Sequence, residues 1–119
     1  MKKISHKECL SSLIPVKDTL DIIGGKWKFL ILISLWEGNS RFREIERSIP
    51  KLTSKVLAKE LKDMEENQLI KRTVIDEYPV RVEYTATEYS HTLKKVIYEL
   101  HHWGVNHREK IFGSKVASN

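Results

Sequence analysis

The residues best equipped for chemistry in this 119-residue chain are a run of cations between positions 41 and 62. Arg41, Arg43, Arg47, Lys51, Lys55, Lys59 and Lys62 stand against Glu44, Glu46 and Glu60, a local excess of four charges out of a net +5 for the whole chain. Charge concentrated in this way is the footprint of a polyanion binder, because the local potential rises where like charges gather. Thr53 and Ser54 lie inside the run and supply hydroxyls able to meet bases or phosphates. Arg72 and Arg81 add two more guanidinium groups further along.

Other reactive side chains are sparse. Cys9 is the only cysteine, so an internal disulfide is excluded. His101, His102 and His107 sit close in sequence, but adjacent and five-apart positions do not share a helix face, so no metal site is expected. Gly24-Gly25 is a bare dipeptide that follows no strand, which removes a dinucleotide or phosphate loop. No His-Glu-x-x-His motif or nucleophile set can be nominated, so neither an enzyme nor a cofactor is expected. The N-terminal residues lack the apolar stretch of a signal peptide, and the longest apolar run, 29–35, is broken by Ser34 and too short to span a bilayer. A cytoplasmic, nucleoid-associated protein with no membrane contact is expected.

The elements that must hold the cations follow from periodicity. Pro15 opens a short helix over 16–23, which Gly24-Gly25 ends. Trp27, Leu30, Ile31 and Leu35, widened by Phe29, Ile33 and Trp36, make a helix apolar almost all round, expected in the middle of the fold. After Gly38-Asn39, Ser40 is a candidate cap for a helix striped by Phe42, Ile45 and Ile49 that ends before Pro50. Thr53 caps the next, whose stripe is Leu57, Leu61 and Met64, with Lys55, Lys59 and Lys62 pointing elsewhere. Glu60 and Asp63 would oppose phosphate if they shared the lysines' face. Residues 70–75 and 80–85 read as strands of a hairpin, with Val80, Val82 and Tyr84 on one face. Thr87 caps a final long helix whose side carries Tyr89, Leu93, Val96 or Ile97, Leu100 and Trp103, with Gly104 as a possible kink. Residues 113–119 read as a flexible tail.

The fold class is therefore mainly α with a small β-hairpin, a winged helix-turn-helix. Residues 1–14 form an N-terminal segment (a dimer arm with room for a short helix), 15–112 the winged domain with its long terminal helix, and 113–119 the tail. A capped helix about 10–12 Å across fits the major groove of B-DNA, about 12 Å wide. Lys55 and Lys59 reach base edges or backbone, Lys51 and Lys62 flank them, and Arg72 and Arg81 lay a wing along the neighbouring groove. A winged helix used only for protein docking is the competing class, although docking faces tend to be depleted of lysine.

The stretches 19–28, Arg41-Phe42-Arg43-Glu44-Ile45, Ser48-Ile49-Pro50, 57–65, 81–88 and Trp103-Gly104 resemble the HxlR-type family of winged-helix regulators, relatives of the MarR group. The resemblance covers roughly residues 15–104. It implies a transcription regulator that dimerises through its terminal helices, here Leu93, Ile97, Leu100 and Trp103, and binds a palindromic operator. It places the recognition helix at 53–67 and gives Arg41, Arg43 and the wing phosphate contacts. Repression is the expected sign, because a small dimer seated on a promoter excludes polymerase without further parts. Many relatives carry a cysteine just before the proline of the first conserved helix. Here Ile14 stands there, and Cys9, a few residues upstream, is the one candidate for a redox or electrophile sensor. Relatives also usually have glycine where this chain has Ser90.

Overall fold

The computed structural model describes residues 6–113, with side chains described from residue 11 onward except at residue 12. The predicted tail from 114 onward, the first five residues of the N-terminal arm and the Cys9 side chain fall outside the described residues. The elements are α1 (His6–Ile23), α2 (Lys28–Trp36), α3 (Phe42–Ser48), α4 (Ser54–Glu66), β1 (Ile70–Ile75), β2 (Arg81–Ala86), a 3₁₀ turn (Tyr89–Leu93) and α5 (Lys94–Phe112).

The first helix differs from expectation. It does not open at Pro15 but runs through it from His6. Proline's own φ is compatible with a helix, although the ring removes a backbone donor and crowds the carbonyl four residues back. Thr19 Oγ1 donates to the Pro15 carbonyl at 2.8 Å, tying the next turn across the ring. The end falls where glycines require it. The Gly24 N–H donates to the Leu20 carbonyl at 2.7 Å, and a Cβ on Gly24 would collide with that same oxygen. Gly25 has φ +90°, a conformation that side-chain-bearing residues rarely adopt.

One cluster forms the core. It gathers Ile31, Leu32 and Leu35 of α2, Ile45 and Ile49 around α3, and Leu57, Leu61 and Met64 of α4, closed by Leu52, Leu69 and Ile70. Burying each such side chain contributes about 1.5–3 kcal/mol before entropy is counted. The central position expected for α2 is observed, though Leu30 and Ile33 remain on its outer side. Ser34 is the polar residue in this region. Asn39 Nδ2 donates to Ser34 Oγ at 3.1 Å, Ser34 shares a 2.6 Å bond with Ser48, and Ser48 donates to the Ile45 carbonyl. The chain of bonds fastens α2 to the end of α3.

The hairpin is antiparallel, with Ile70 opposite Ala86 and Ile75 opposite Arg81. Its second strand begins one residue later than predicted. Val80 belongs to the exposed loop, and the half-buried face carries Val82, Tyr84 and Ala86. The Tyr84 N–H donates to the Ser40 carbonyl at 2.7 Å, pinning the strand's other edge to the chain just before α3.

Thr87 caps the 3₁₀ turn rather than a long helix. Its Oγ1 accepts from the Ser90 N–H at 3.1 Å and donates to carbonyls of Gln68 and Leu69. Ser90, fully buried, returns a 2.6 Å bond to the Thr87 carbonyl, which gives the serine at this position a partner for its hydroxyl. The long helix α5 starts at Lys94 and passes Gly104 without a break. No described helix is long and apolar enough to cross a membrane.

Candidate nucleic-acid interface

Everything in the candidate site is set by how α4 is held. The turn before it spans Pro50 to Leu52. Lys51 takes a left-handed φ of +68° and Leu52 folds back into the core. Thr53 is extended, and its Oγ1 accepts from the Val56 N–H at 3.2 Å, the cap expected from sequence. The stripe Leu57, Leu61 and Met64 then turns inward. Lys55, Lys59 and Lys62, spaced four and three apart, line the opposite side with Ala58 between them, and all are exposed.

The acids resolve into separate places. Glu60 does not share the lysines' face. It is buried, and Lys28 Nζ at the start of α2 contacts its carboxylate at 2.8 and 3.2 Å. Asp63 is half-buried, and Glu65 and Glu66 sit at the far end of the helix. The outward face of the first two turns is thus cationic, and the helix's own N-terminus adds positive potential there.

The α3 helix is capped differently from expectation. Ser40 was the candidate cap, yet Arg41 occupies that position and Glu44 reaches back to it. Glu44 Oε1 accepts from the N–H groups of both Arg41 and Ser40 at 3.0 Å. Arginine has no acceptor to return, so this is the carboxylate half of a capping box. The two backbone bonds, Arg41's first, hold the Glu44 carboxyl below the usual carboxylate range, with smaller help from the Arg41 and Arg47 charges.

Between α3 and the hairpin tip lies an open cleft of about 740 Å³ lined by Arg41, Arg43, Arg47, Tyr78 and Arg81 among others. Three of the predicted residues therefore meet there. Arg47 and Tyr78, which the sequence reading did not nominate as contacts, join them. Arg47 carried a signal, because it lies four residues after Arg43 on one helix. Tyr78 is fully exposed at the loop tip. Arg81 is less free than expected: Nη1 lies 2.9 Å from Glu77 and Nε lies 3.0 Å from Glu83, so its charge is matched within the wing. Ser54 also has a partner, donating to Glu46 of α3 at 2.7 Å. Arg72 lies exposed on β1, opposite Tyr84 in the ladder and outside the cleft.

A second surface belongs to the terminal helices. The 19-residue α5 has no buried residue, although it carries Ile97, Leu100, Trp103, Ile111 and Phe112. Val16 and Leu20 of α1, Phe29 of α2, and Val96 and Leu100 of α5 line an apolar groove of about 430 Å³. Leu93 and Ile97 are half-buried, whereas Leu100 and Trp103 are 53% and 68% exposed. Two of the three α5 histidines pair with aromatic rings: His107 stacks on Trp103 at 4.9 Å and His102 lies 6.2 Å from Tyr98. Among the described residues no three His, Cys, Asp or Glu side chains gather as a metal site.

A core-anchored helix pair with a cationic second helix, followed by a hairpin pinned beside the first, defines a winged helix-turn-helix regulator of transcription. The chain belongs to the HxlR-like helix-turn-helix family, whose model matches residues 22–112. It is 41% identical over 97 residues to the HTH-type transcriptional regulator YdeP of Bacillus subtilis, covering 82% of this chain and 76% of that protein. The redox regulator HypR in its reduced form superposes with a TM-score of 0.74 at 35% identity, over 82% of this chain and 96% of that one. Reduced YodB of B. subtilis superposes with a TM-score of 0.70 at 34% identity, over 82% and 92%, and YodB has also been solved diamide-treated and quinone-bound.

The Glu44 cap makes a pH prediction. A carboxyl whose folded-state pKa is lowered contributes stability that is full above its unfolded value and is lost as pH falls through the folded one. The wild type's advantage over Glu44→Ala is therefore expected to be constant from neutral pH to about 5 and to vanish as pH falls through and below the ordinary glutamate range. Urea unfolding of both proteins across pH checks it.

Proposed function

We propose that this chain is a sequence-specific repressor that binds a palindromic operator as a homodimer and acts by occupying DNA in the cytoplasm, without catalysing a reaction or needing a cofactor. The observation that carries the proposal is the segregation on α4: Lys55, Lys59 and Lys62 outside, Glu60 withdrawn onto Lys28. That face suits the major groove, while Thr53 and the flanking Lys51 meet the backbone at the helix start. Arg41, Arg43 and Arg47, with the wing residues Arg72 and Arg81, supply phosphate contacts around it. A lysine-rich outward face disfavours a module that only docks on protein.

The dimer proposal rests on the terminal helices. Helices in proteins draw most of their stability from burying an apolar face, and the 19-residue α5 packs no residue fully into its own subunit. Of the four residues expected at a dimer contact, Leu93 packs on its own subunit's core and Ile97 is half-buried, while exposed Leu100 and Trp103, with Val96 and the α1 side of the groove, offer apolar surface of the kind that a second copy covers. Two-fold symmetry then presents two recognition helices to half-sites about one helical turn apart. The proposed division is an N-terminal segment over 1–14, the winged unit over 15–112 and a C-terminal segment over 113–119.

Selection of bound duplexes from a random pool tests the reading. A palindromic consensus supports it, and a pool that stays random contradicts it. The double variant Lys55→Ala/Lys59→Ala is expected to keep its thermal stability and lose operator affinity, with the slope of log affinity against log salt falling by about two. Fluorescence anisotropy across a salt series measures this. Trp103→Ala is expected to weaken self-association, and sedimentation at low micromolar concentration reads it.

A second reading adds thiol sensing to the same regulator. Its support is that the relatives include a redox regulator and a protein seen bound to quinone. The thiol available is Cys9, whose side chain lies outside the described residues. A quinone or mild oxidant is then expected to change operator affinity in the wild type and leave Cys9→Ser unaffected, as a gel-shift comparison would show.

A further inference from the structure

We infer that the Lys28–Glu60 ion pair sets the rotation of the recognition helix about its own axis and so is a positioning pair for base-specific reading. The inference rests on the regulator reading given above. The two residues are 32 apart in sequence, and their side chains are only 12% and 11% exposed. One Nζ contacts both carboxylate oxygens, at 2.8 and 3.2 Å. Lys28 is the first residue of α2, just beyond the Gly24-Gly25 bend, and Glu60 lies midway along α4.

Stability does not explain two charges at this place. Removing a charged pair from water is costly, and apolar residues of similar size generally hold a core as well or better. What the pair adds is direction. The stripe Leu57, Leu61 and Met64 selects which side of α4 faces inward, but apolar contact is non-directional and tolerates some roll. A helix with side chains is about 10–12 Å across, so a roll of about 20° carries its outer tips by about 2 Å. Base-edge hydrogen bonds tolerate about 0.5 Å. A charge-assisted contact to both oxygens of one carboxylate is both strong and oriented. Glu60 also lies in the middle of α4, so fixing it fixes the backbone that carries the whole outward face.

The consequence is selective. Lysine contacts to phosphate act over distance through flexible arms and survive a small roll, whereas contacts to base edges do not. Loss of the pair should therefore fall on discrimination between sequences and spare general DNA affinity.

The test uses the full chain carrying Lys28→Met/Glu60→Leu, an apolar pair of similar volume. Melting temperature, sedimentation, and affinity for the selected operator and for a scrambled duplex of equal length are measured across salt. The expected result is a melting temperature at or above wild type, an unchanged salt slope, scrambled-duplex affinity within about twofold, and an operator-to-scrambled ratio lower by about tenfold or more. The swap Lys28→Glu/Glu60→Lys, which restores an ion pair, is expected to recover most of that ratio. A folded apolar variant that discriminates as well as wild type overturns the inference, and so does a folded swap as unselective as the apolar variant. If neither double variant folds, Glu60→Gln carries the test, because it keeps the side chain's shape and removes its charge: a lowered ratio at unchanged melting temperature supports the pair's role, and an unchanged ratio overturns it. Wild-type protein that enriches no sequence overturns the regulator reading together with this one. A selective wild type with an equally selective apolar variant overturns the positioning role alone.

Discussion

Burial of Leu57, Leu61 and Met64 in one cluster with Ile31, Leu32 and Ile45 is the interaction on which the remaining features depend. Those three residues recur at helical spacing, so a single inward face of α4 accommodates them all. Once that face is inward, Lys55, Lys59 and Lys62 must be outward. The functional surface is in this sense a by-product of core formation. The same packing draws Glu60 inward, where the Lys28 ammonium receives its carboxylate.

The wing is positioned by backbone contacts together with Ile70, Tyr84 and Ala86 at its root, which pack into or against the core. The Tyr84 N–H bonds to the Ser40 carbonyl, and the Thr87 N–H bonds to the Leu69 carbonyl, so the hairpin is fixed both to the entry of α3 and to the exit of α4. Glu44 in turn holds that entry by accepting both nearby N–H groups. The arginine cleft between α3 and the hairpin tip exists because these two attachments bring Arg41, Arg43 and Arg47 beside Tyr78 and Arg81. Trp36 of α2 stacks on His91 at 5.9 Å, which fastens the 3₁₀ turn, and with it the root of α5, to the same body.

The sequence made legible whatever local patterning controls. Periodicity of three and four located α2 to α4, the Thr53 cap marked where α4 starts, and β-branched runs marked the hairpin. It misplaced what longer-range context decides. Pro15 reads locally as a helix start, yet the helix continues upstream because proline's own φ is compatible with a helix. Ser40 reads as a cap, but the Glu44 carboxylate takes the backbone donors instead. The partners of Glu60, Ser54 and Arg81 were invisible for a related reason: no spacing rule links Lys28 to a residue 32 positions away, or Ser54 to Glu46 on another helix. Arg81 also shows that a basic residue on a wing need not present a free charge, since Glu77 and Glu83 flank it in space.

The proposed DNA face lies on the α4, α3 and wing side and the proposed dimer face on the α1 and α5 side. Nuclear magnetic resonance of the labelled protein, titrated with its selected duplex, separates the two surfaces residue by residue. The account predicts that amide shifts concentrate at 51–62, 41–47 and the hairpin loop, while the outward amides of α5 around Trp103 stay in place. Shifts centred on α1 and α5, with the amides of Lys55, Lys59 and Lys62 unmoved, would contradict it.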